Sequence, residues 1–403
     1  MKKQRLIIII TVFVDVLGIG IIIPILPFFV ESFGVGAGVV TALFAVFSLF
    51  SFFSSPFLGA LSDKIGRRPV LIISLLSTTI GWLIFAAANS VFFLFLGRII
   101  DGLAAGNFPI AQNYLLDIAK TEKEKTANLG LIGAIFGIGF IIGPMFGGLL
   151  GSFSLRLPFY FVGFLALLNT IFAYFYLPET NHTRREGKIS LNPLVPIVSV
   201  IKQKIFLSGL LAIFFFGLAI AIQQSVFSLY VYQVFGWGTF AVGLLMAGIG
   251  VLIAFNQGFL LRKLIRSFRQ DYLAIISLIL LGIGFIFLGI GYLPFFLIGV
   301  LGITFGQSIG RVILTSLLAK KADSSRQGEL LGVLTSITSL SMIIGPLLAG
   351  FIFIKHPAGP FFLAALFSVL SLLFVLKFVQ NKNLTTPMTT EIEKENQLLE
   401  VTV

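Results

Sequence analysis

The stretch Leu94–Asp117 reads LFLGRIIDGLAAGNFPIAQNYLLD: a run long and apolar enough to cross a bilayer that nonetheless holds Arg98 and Asp101. An ionised side chain at the middle of a membrane helix costs roughly 2.5–3.5 kcal/mol on insertion scales, so such residues face a water-filled cavity and a partner. Arg98 and Asp101 are three residues apart, hence on one helical face. That face is expected to line a pathway.

The rest of the chain fits this reading. Of its 403 residues, 57% are hydrophobic and 11% charged, and the mean hydropathy is +1.06; soluble domains carry roughly 25% charged residues. There is no cysteine, which excludes disulfides and thiolate chemistry. The two histidines, His182 and His356, fall in expected loops, and no Ser/His/Asp set is recognisable. No catalytic residue, metal site or cofactor is therefore expected. A G-x-x-x-x-G-K-[ST] phosphate loop is also missing, which points to a gradient rather than a nucleotide as driving force. The net charge of +12 would suggest nucleic acid in a soluble chain; here it gives topology, and no nucleic-acid partner is expected.

Twelve spans are predicted at Leu6–Val30, Gly36–Ala60, Val70–Asn89, Val91–Asp117, Ala127–Gly151, Leu157–Leu177, Ile205–Val234, Thr239–Leu261, Tyr272–Gly291, Leu293–Ala319, Gly328–Ile354 and Pro360–Val379. The first is too long for a signal peptide and lacks a small-residue cleavage site, so it reads as an uncleaved helix. The basic residues test this partition. Lys2, Lys3 and Arg5, then Lys64, Arg67 and Arg68, then every later cluster through Lys377, Lys382 and Lys394, fall on one side, and the opposite loops hold only Arg156 and Lys355. The positive-inside rule makes the rich side cytoplasmic, with both termini inside. The expected architecture is an all-α polytopic membrane protein with a six-helix half at 1–177, a cytoplasmic linker at 178–204, a second six-helix half at 205–380 and a cytoplasmic tail at 381–403. The halves echo one another: GFIIGPMFGG (139–148) corresponds to SMIIGPLLAG (341–350). Parallel six-helix repeats with a site near the midplane between them are a known transporter plan.

Three further motifs carry chemistry. Gly59-Ala-Leu-Ser-Asp63-Lys-Ile-Gly66-Arg67-Arg68-Pro69 joins the second and third spans; its glycines allow a tight turn, and Asp63 and the arginines can pair with one another, with Asp117 or with a helix terminus. In TVFVDVLGIGIIIPILPFF (11–29), Asp15 lies about 14 Å above Leu6, near the midplane of a core about 30 Å thick. It either snorkels to the cytoplasmic side or faces the interior. Gly137–Gly148, GIGFIIGPMFGG, combines small residues for close helix contact with Pro144, which kinks the span.

Together these motifs resemble the major facilitator superfamily, and within it the drug:proton antiporters, similar to the tetracycline/proton antiporters. The loop around Asp63 resembles the superfamily's signature loop, D-x-x-G-x-G-x-x-x-P-x-x-P from Asp15 the antiporters' first helix, R-x-x-x-G from Arg98 to Gly102 their fourth, and Gly139, Gly143, Pro144, Gly147 and Gly148 their fifth. The resemblance implies a gating role for Gly59, Asp63, Gly66, Arg67, Arg68 and Asp117, and proton coupling through Arg98. Burial and a neighbouring guanidinium act in opposite directions on a carboxylate, so Asp15 or Asp101 is poised, or Arg98 and Asp101 form a static pair. There are departures. The third span, TTIGWLIF around Gly81, and the ninth lack the acids that tetracycline exporters carry there, while Asp101 is an extra one. In the second half, the loop Gly258–Asp271 keeps arginines but lacks the acid at the equivalent place, so any latch there is weaker or differently built.

Asn107, Gln112, Asn113, Gln223, Gln224, Tyr230, Gln307 and Arg311 are the expected substrate contacts, although such amides also serve as interhelical glue. Arg311 either snorkels toward the basic end or offers a cavity cation to an anionic or zwitterionic substrate. The expected function is proton-coupled efflux of drug-like or amphipathic small molecules by alternating access, with Asp15, Arg98 and Asp101 as coupling residues. A lipid or glycolipid flippase, or a sugar or metabolite exporter, is the alternative on the same scaffold. The expected partners are a small-molecule substrate, protons and the lipid bilayer, and the expected form is a monomer in the inner cell membrane.

Overall fold

A computed structural model describes residues 2–103, 105–181, 204–320 and 327–380. Most of the expected linker and the whole expected tail lie outside these residues. Among those described, twelve helices are long and apolar enough to cross a membrane: α1 (Lys3–Glu31), α2 (Ala37–Ile65), α3 (Arg67–Ala87), α4 (Val91–Asp117), α5 (Glu122–Phe153), α6 (Leu157–Tyr176), α7 (Phe206–Phe235), α8 (Thr239–Ser267), α9 (Gln270–Gly289), α10 (Leu293–Ala319), α11 (Gly332–Phe353) and α12 (Gly359–Gln380). No strand occurs among them.

The number of spans matches the expectation, but their basic ends run further. α2 continues to Ile65 and α3 begins at Arg67, because Lys and Arg end an apolar run without ending a helix. Only Gly66, with φ +115, turns the chain between them. Gly59 was expected in this turn and instead lies inside α2, its carbonyl accepting from the Ser62 hydroxyl at 2.7 Å. α5 reaches back to Glu122 because Thr121 caps it, the Thr121 Oγ1 accepting from Glu124 N at 3.2 Å.

The same helix pairings recur in both sets of six. α1 packs on α5 and α6, α3 on α4 and α6, and α2 on α4; α7 packs on α11 and α12, α9 on α10 and α12, and α8 on α10. In the first set Phe29, Trp82, Phe85 and Phe159 interlock, with Trp82 stacked on Phe159 at 6.1 Å, and so tie α1, α3 and α6 together. The sets meet through α5 on α8 and α2 on α11. Their contact is tight at the end away from the basic loops. There a Cβ on Gly148 would stand 2.9 Å from Gly243 Cα, Gly350 lies against the Thr41 side chain, and the Ser228 hydroxyl donates to Ile23 O at 3.0 Å. Toward the basic end, a Cβ on Gly130 or Gly133 of α5 or on Gly332 of α11 would meet nothing within 4 Å beyond its own helix. The molecule is therefore open between its sets at the basic end and shut at the other.

Candidate functional site

A chain of polar side chains runs through the first set of helices. The Asn107 amide on α4 donates to Asp15 Oδ1 on α1 at 3.1 Å and to Thr78 Oγ1 on α3 at 3.0 Å. Earlier on α4, Arg98 Nη1 donates to Asp101 Oδ2 at 3.1 Å, both side chains being almost fully buried. The guanidinium of Arg98 also lies over the Phe47 ring, 4.1 Å from its centroid, a placement that favours a desolvated cation. Asp101 fits because Gly81 faces it: a Cβ at Gly81 would stand 2.9 Å from Asp101 Cβ. The acid missing from α3 is thus met across the helix contact by one from α4. Asp15 has no ion-pair partner among the described residues; its link is the amide.

The glycines of α5 hold α1 close. A Cβ at Gly139 would stand 2.7 Å from Val16 Cγ1, one at Gly143 2.8 Å from Gly20 Cα, and one at Gly147 3.1 Å from Ile21 Cα. Pro144 lies against Gly20. These glycines therefore mostly seat α1, while Gly148 and the carbonyls of Phe140 and Pro144 meet Gly243 and Gly250 of α8.

At the basic end a cage closes around Arg67. It pairs with Asp63, with Asp117 Oδ2 at 3.2 Å, and with the Ser62 hydroxyl at 2.7 Å. Arg68 donates instead to Tyr174 O at 2.8 Å. Glu179, just beyond α6, accepts from the backbone N–H of Arg67 at 2.8 Å and of Arg68 at 3.1 Å, and so caps α3. Asn181 adds a bond to Asp63 O at 2.8 Å. Sequence reasoning missed Glu179. The available signal was that α3 starts directly after a glycine and has no capping side chain of its own. In the second set the corresponding turn shows one exposed pair, Arg269–Asp271 at 3.0 Å.

Between the sets lies a cavity of about 260 Å³. Gln223 and Gln224 of α7, Gln257 of α8 and Gln307 and Arg311 of α10 line it, opposite Phe136, Phe140 and Pro144 of α5. Arg311 also borders a second space of about 440 Å³ against Phe47, Ser48 and Ser51 of α2. Of the expected contacts, Gln223, Gln224, Gln307 and Arg311 come together here. Gln112 and Asn113 lie outside both cavities, and Asn107 belongs to the Asp15 link. Tyr230 is a correction: it is fully buried and its hydroxyl donates to Leu288 O at 2.6 Å, so it packs α7 on α9. Next to the cavity α8 loosens into a π turn at Asn256–Leu260, with Asn256 donating to Ser308 Oγ at 3.1 Å. Such turns recur at functional sites, and the sequence pattern gave no sign of this one.

The family model of the Major Facilitator Superfamily matches residues 8–333 and 258–400. The chain is 31% identical over 399 residues to the class H tetracycline resistance protein of Pasteurella multocida, covering 96% of this chain and 98% of that protein. It is 28% identical over 379 residues to the quinolone resistance protein NorA of Staphylococcus aureus strain MSSA476, covering 93% and 96%. Among solved structures, the nucleoside transporter NupG matches with a TM-score of 0.75 and 14% identity over 94% of this chain and 98% of that one; that likeness is one of fold alone.

Proposed function

The chain belongs to the Major Facilitator Superfamily and is a multi-pass membrane transporter rather than an enzyme, and from that premise we propose that it exports drug-like or amphipathic small molecules in exchange for protons. The observation that carries the proposal is Asp15, a mid-depth carboxylate with an amide in place of an ion-pair partner, beside the Arg98–Asp101 pair. A carboxylate in that position is expensive while charged and far less so once protonated, so it gains and gives up a proton as water reaches it from one side and then the other.

Both termini and the basic loops face the cytoplasm, by the positive-inside rule, and the protein sits in the cell membrane. The cavity, open at that end, takes substrate from the cytoplasm. The sets of helices then rock, opening the other end, where a proton binding at Asp15 resets the network and favours release. The Arg67 cage stabilises the state in which the basic ends are apart by holding α2, α3, α4 and the segment after α6 as one body. Relatives named for tetracycline and quinolone resistance support the drug-like substrate class.

The test is reconstitution into liposomes with an imposed pH gradient. Accumulation of tetracycline or norfloxacin against its own gradient, abolished by collapsing the pH difference and by Asp15→Asn, is the expected result. Movement of both compounds that ignores the gradient and the substitution overturns the proposal.

A further inference from the structure

Four polar side chains converge on the inter-set cavity without a partner among the described residues: the amides of Gln223, Gln224 and Gln307 and the guanidinium of Arg311. Among the described residues, no Asp or Glu lines this cavity or its neighbour. Opposite them stands an apolar wall of Phe136 and Phe140, their rings stacked 6.4 Å apart, with Met246 and Ile249 beside it. Arg311 is a guanidinium exposed to this space, hydrated there and neutralised by no described carboxylate. Arg98 shows how this chain otherwise treats one, with Asp101 on the adjacent turn. Guanidinium and amide N–H groups are donors, and the guanidinium matches the two oxygens of an acid group.

Resting on the transport reading above, we infer that the cargo is an amphipathic organic anion: its acid group sits on Arg311, within reach of the glutamine amides, and its aromatic or aliphatic body lies on the Phe136–Phe140 wall. The missing carboxylate of the cavity is the one the substrate brings. Charge movement follows. One anion leaving for one proton entering carries two positive charges inward per cycle, so a membrane potential negative inside drives export together with the pH gradient. A cationic cargo exchanged for one proton would move no net charge.

Three probes with one ring system separate the possibilities: 2-naphthoate, 2-naphthylmethanol and 2-naphthylmethylammonium, titrated onto the purified full chain by calorimetry. The expected result is that 2-naphthoate binds at least about tenfold tighter than the alcohol, the scale of one charge-assisted hydrogen bond. Arg311→Gln removes that preference without lowering the unfolding temperature, and Arg311→Lys keeps part of it. Equal binding of the three probes, or a preference that survives Arg311→Gln, overturns the inference. In liposomes, 2-naphthoate export faster under a valinomycin-set negative potential supports it, and export indifferent to potential overturns it. Binding preference intact, with no probe moved by a pH gradient, instead removes the antiport reading and leaves the anion site standing.

Discussion

Arg98 and Arg311 are both guanidiniums within membrane-spanning helices, one in each set of six, and they live in different surroundings. Arg98 is sealed between Asp101 and the Phe47 ring, with Asp15 hung from Asn107 nearby. Arg311 stands at the border of two cavities with amides and hydroxyls around it. The basic ends differ in the same sense: Asp63, Asp117 and Glu179 gather on Arg67 and its helix start, while Arg262, Lys263 and Arg266 have no carboxylate in salt-bridge range among the described residues. The helix pairings, by contrast, repeat one for one. Backbone packing and charge are thus separable: the repeat keeps its skeleton while the buried ion pair lies in one half and the cavity arginine in the other, and the proposed function divides protons and substrate along the same line.

Asp15→Asn tests that division with the largest effect. Uphill transport under a pH gradient falls to the level of protein-free liposomes, while downhill exchange of labelled substrate continues. Full coupling in this variant would put the proton elsewhere and dissolve the division. Arg98→Gln comes next. It strands a buried Asp101 and destabilises by about 3–5 kcal/mol, read as unfolding temperature in detergent, and adding Asp101→Asn recovers most of the loss. Arg311→Gln strands nothing and stays within about 0.5 kcal/mol of the parent. Similar losses at the two arginines would erase the contrast between them.

The shared skeleton has its own test. A Cβ at Gly81 would lie 2.9 Å from Gly97 O, and one at Gly284 2.8 Å from Gly299 O, each at the matching helix contact of its set. Gly81→Ala and Gly284→Ala should each cost about 1–3 kcal/mol. A large gap between them would mean that the two contacts are not equivalent. The smallest difference is at the basic ends: Arg67→Gln loses about 1–2 kcal/mol with its hydrogen bonds, and Arg266→Gln changes unfolding by less than about 0.5 kcal/mol.

Hydropathy and the side on which Lys and Arg fall made the twelve spans legible, because both are summed over whole segments. The Arg98–Asp101 pair was legible for a different reason, its spacing within one helix. What the sequence left hidden depends on partners far along the chain. Asn107 meets Asp15 across 92 positions, and Glu179 caps Arg67 across 112; neither distance leaves a local pattern. Tyr230 reads as a polar contact from composition alone, and only the nearby Leu288 carbonyl turns it inward. The helix ends were misjudged at Ile65 and Arg67 because charge interrupts hydropathy without interrupting backbone hydrogen bonds.

The single-residue joint at Gly66 has a mechanical consequence. α2 is 29 residues long, hence about 43 Å, and behaves as a lever: one tip presses Thr41 against Gly350 of α11, while the other is clamped to α3 through Gly66 and Glu179. A seesaw tilt of about ten degrees around its middle displaces each tip by about 4 Å in opposite directions. No coil interrupts α2 between its two tips, and Pro56, which removes one of its backbone hydrogen bonds, is the point where bending would concentrate.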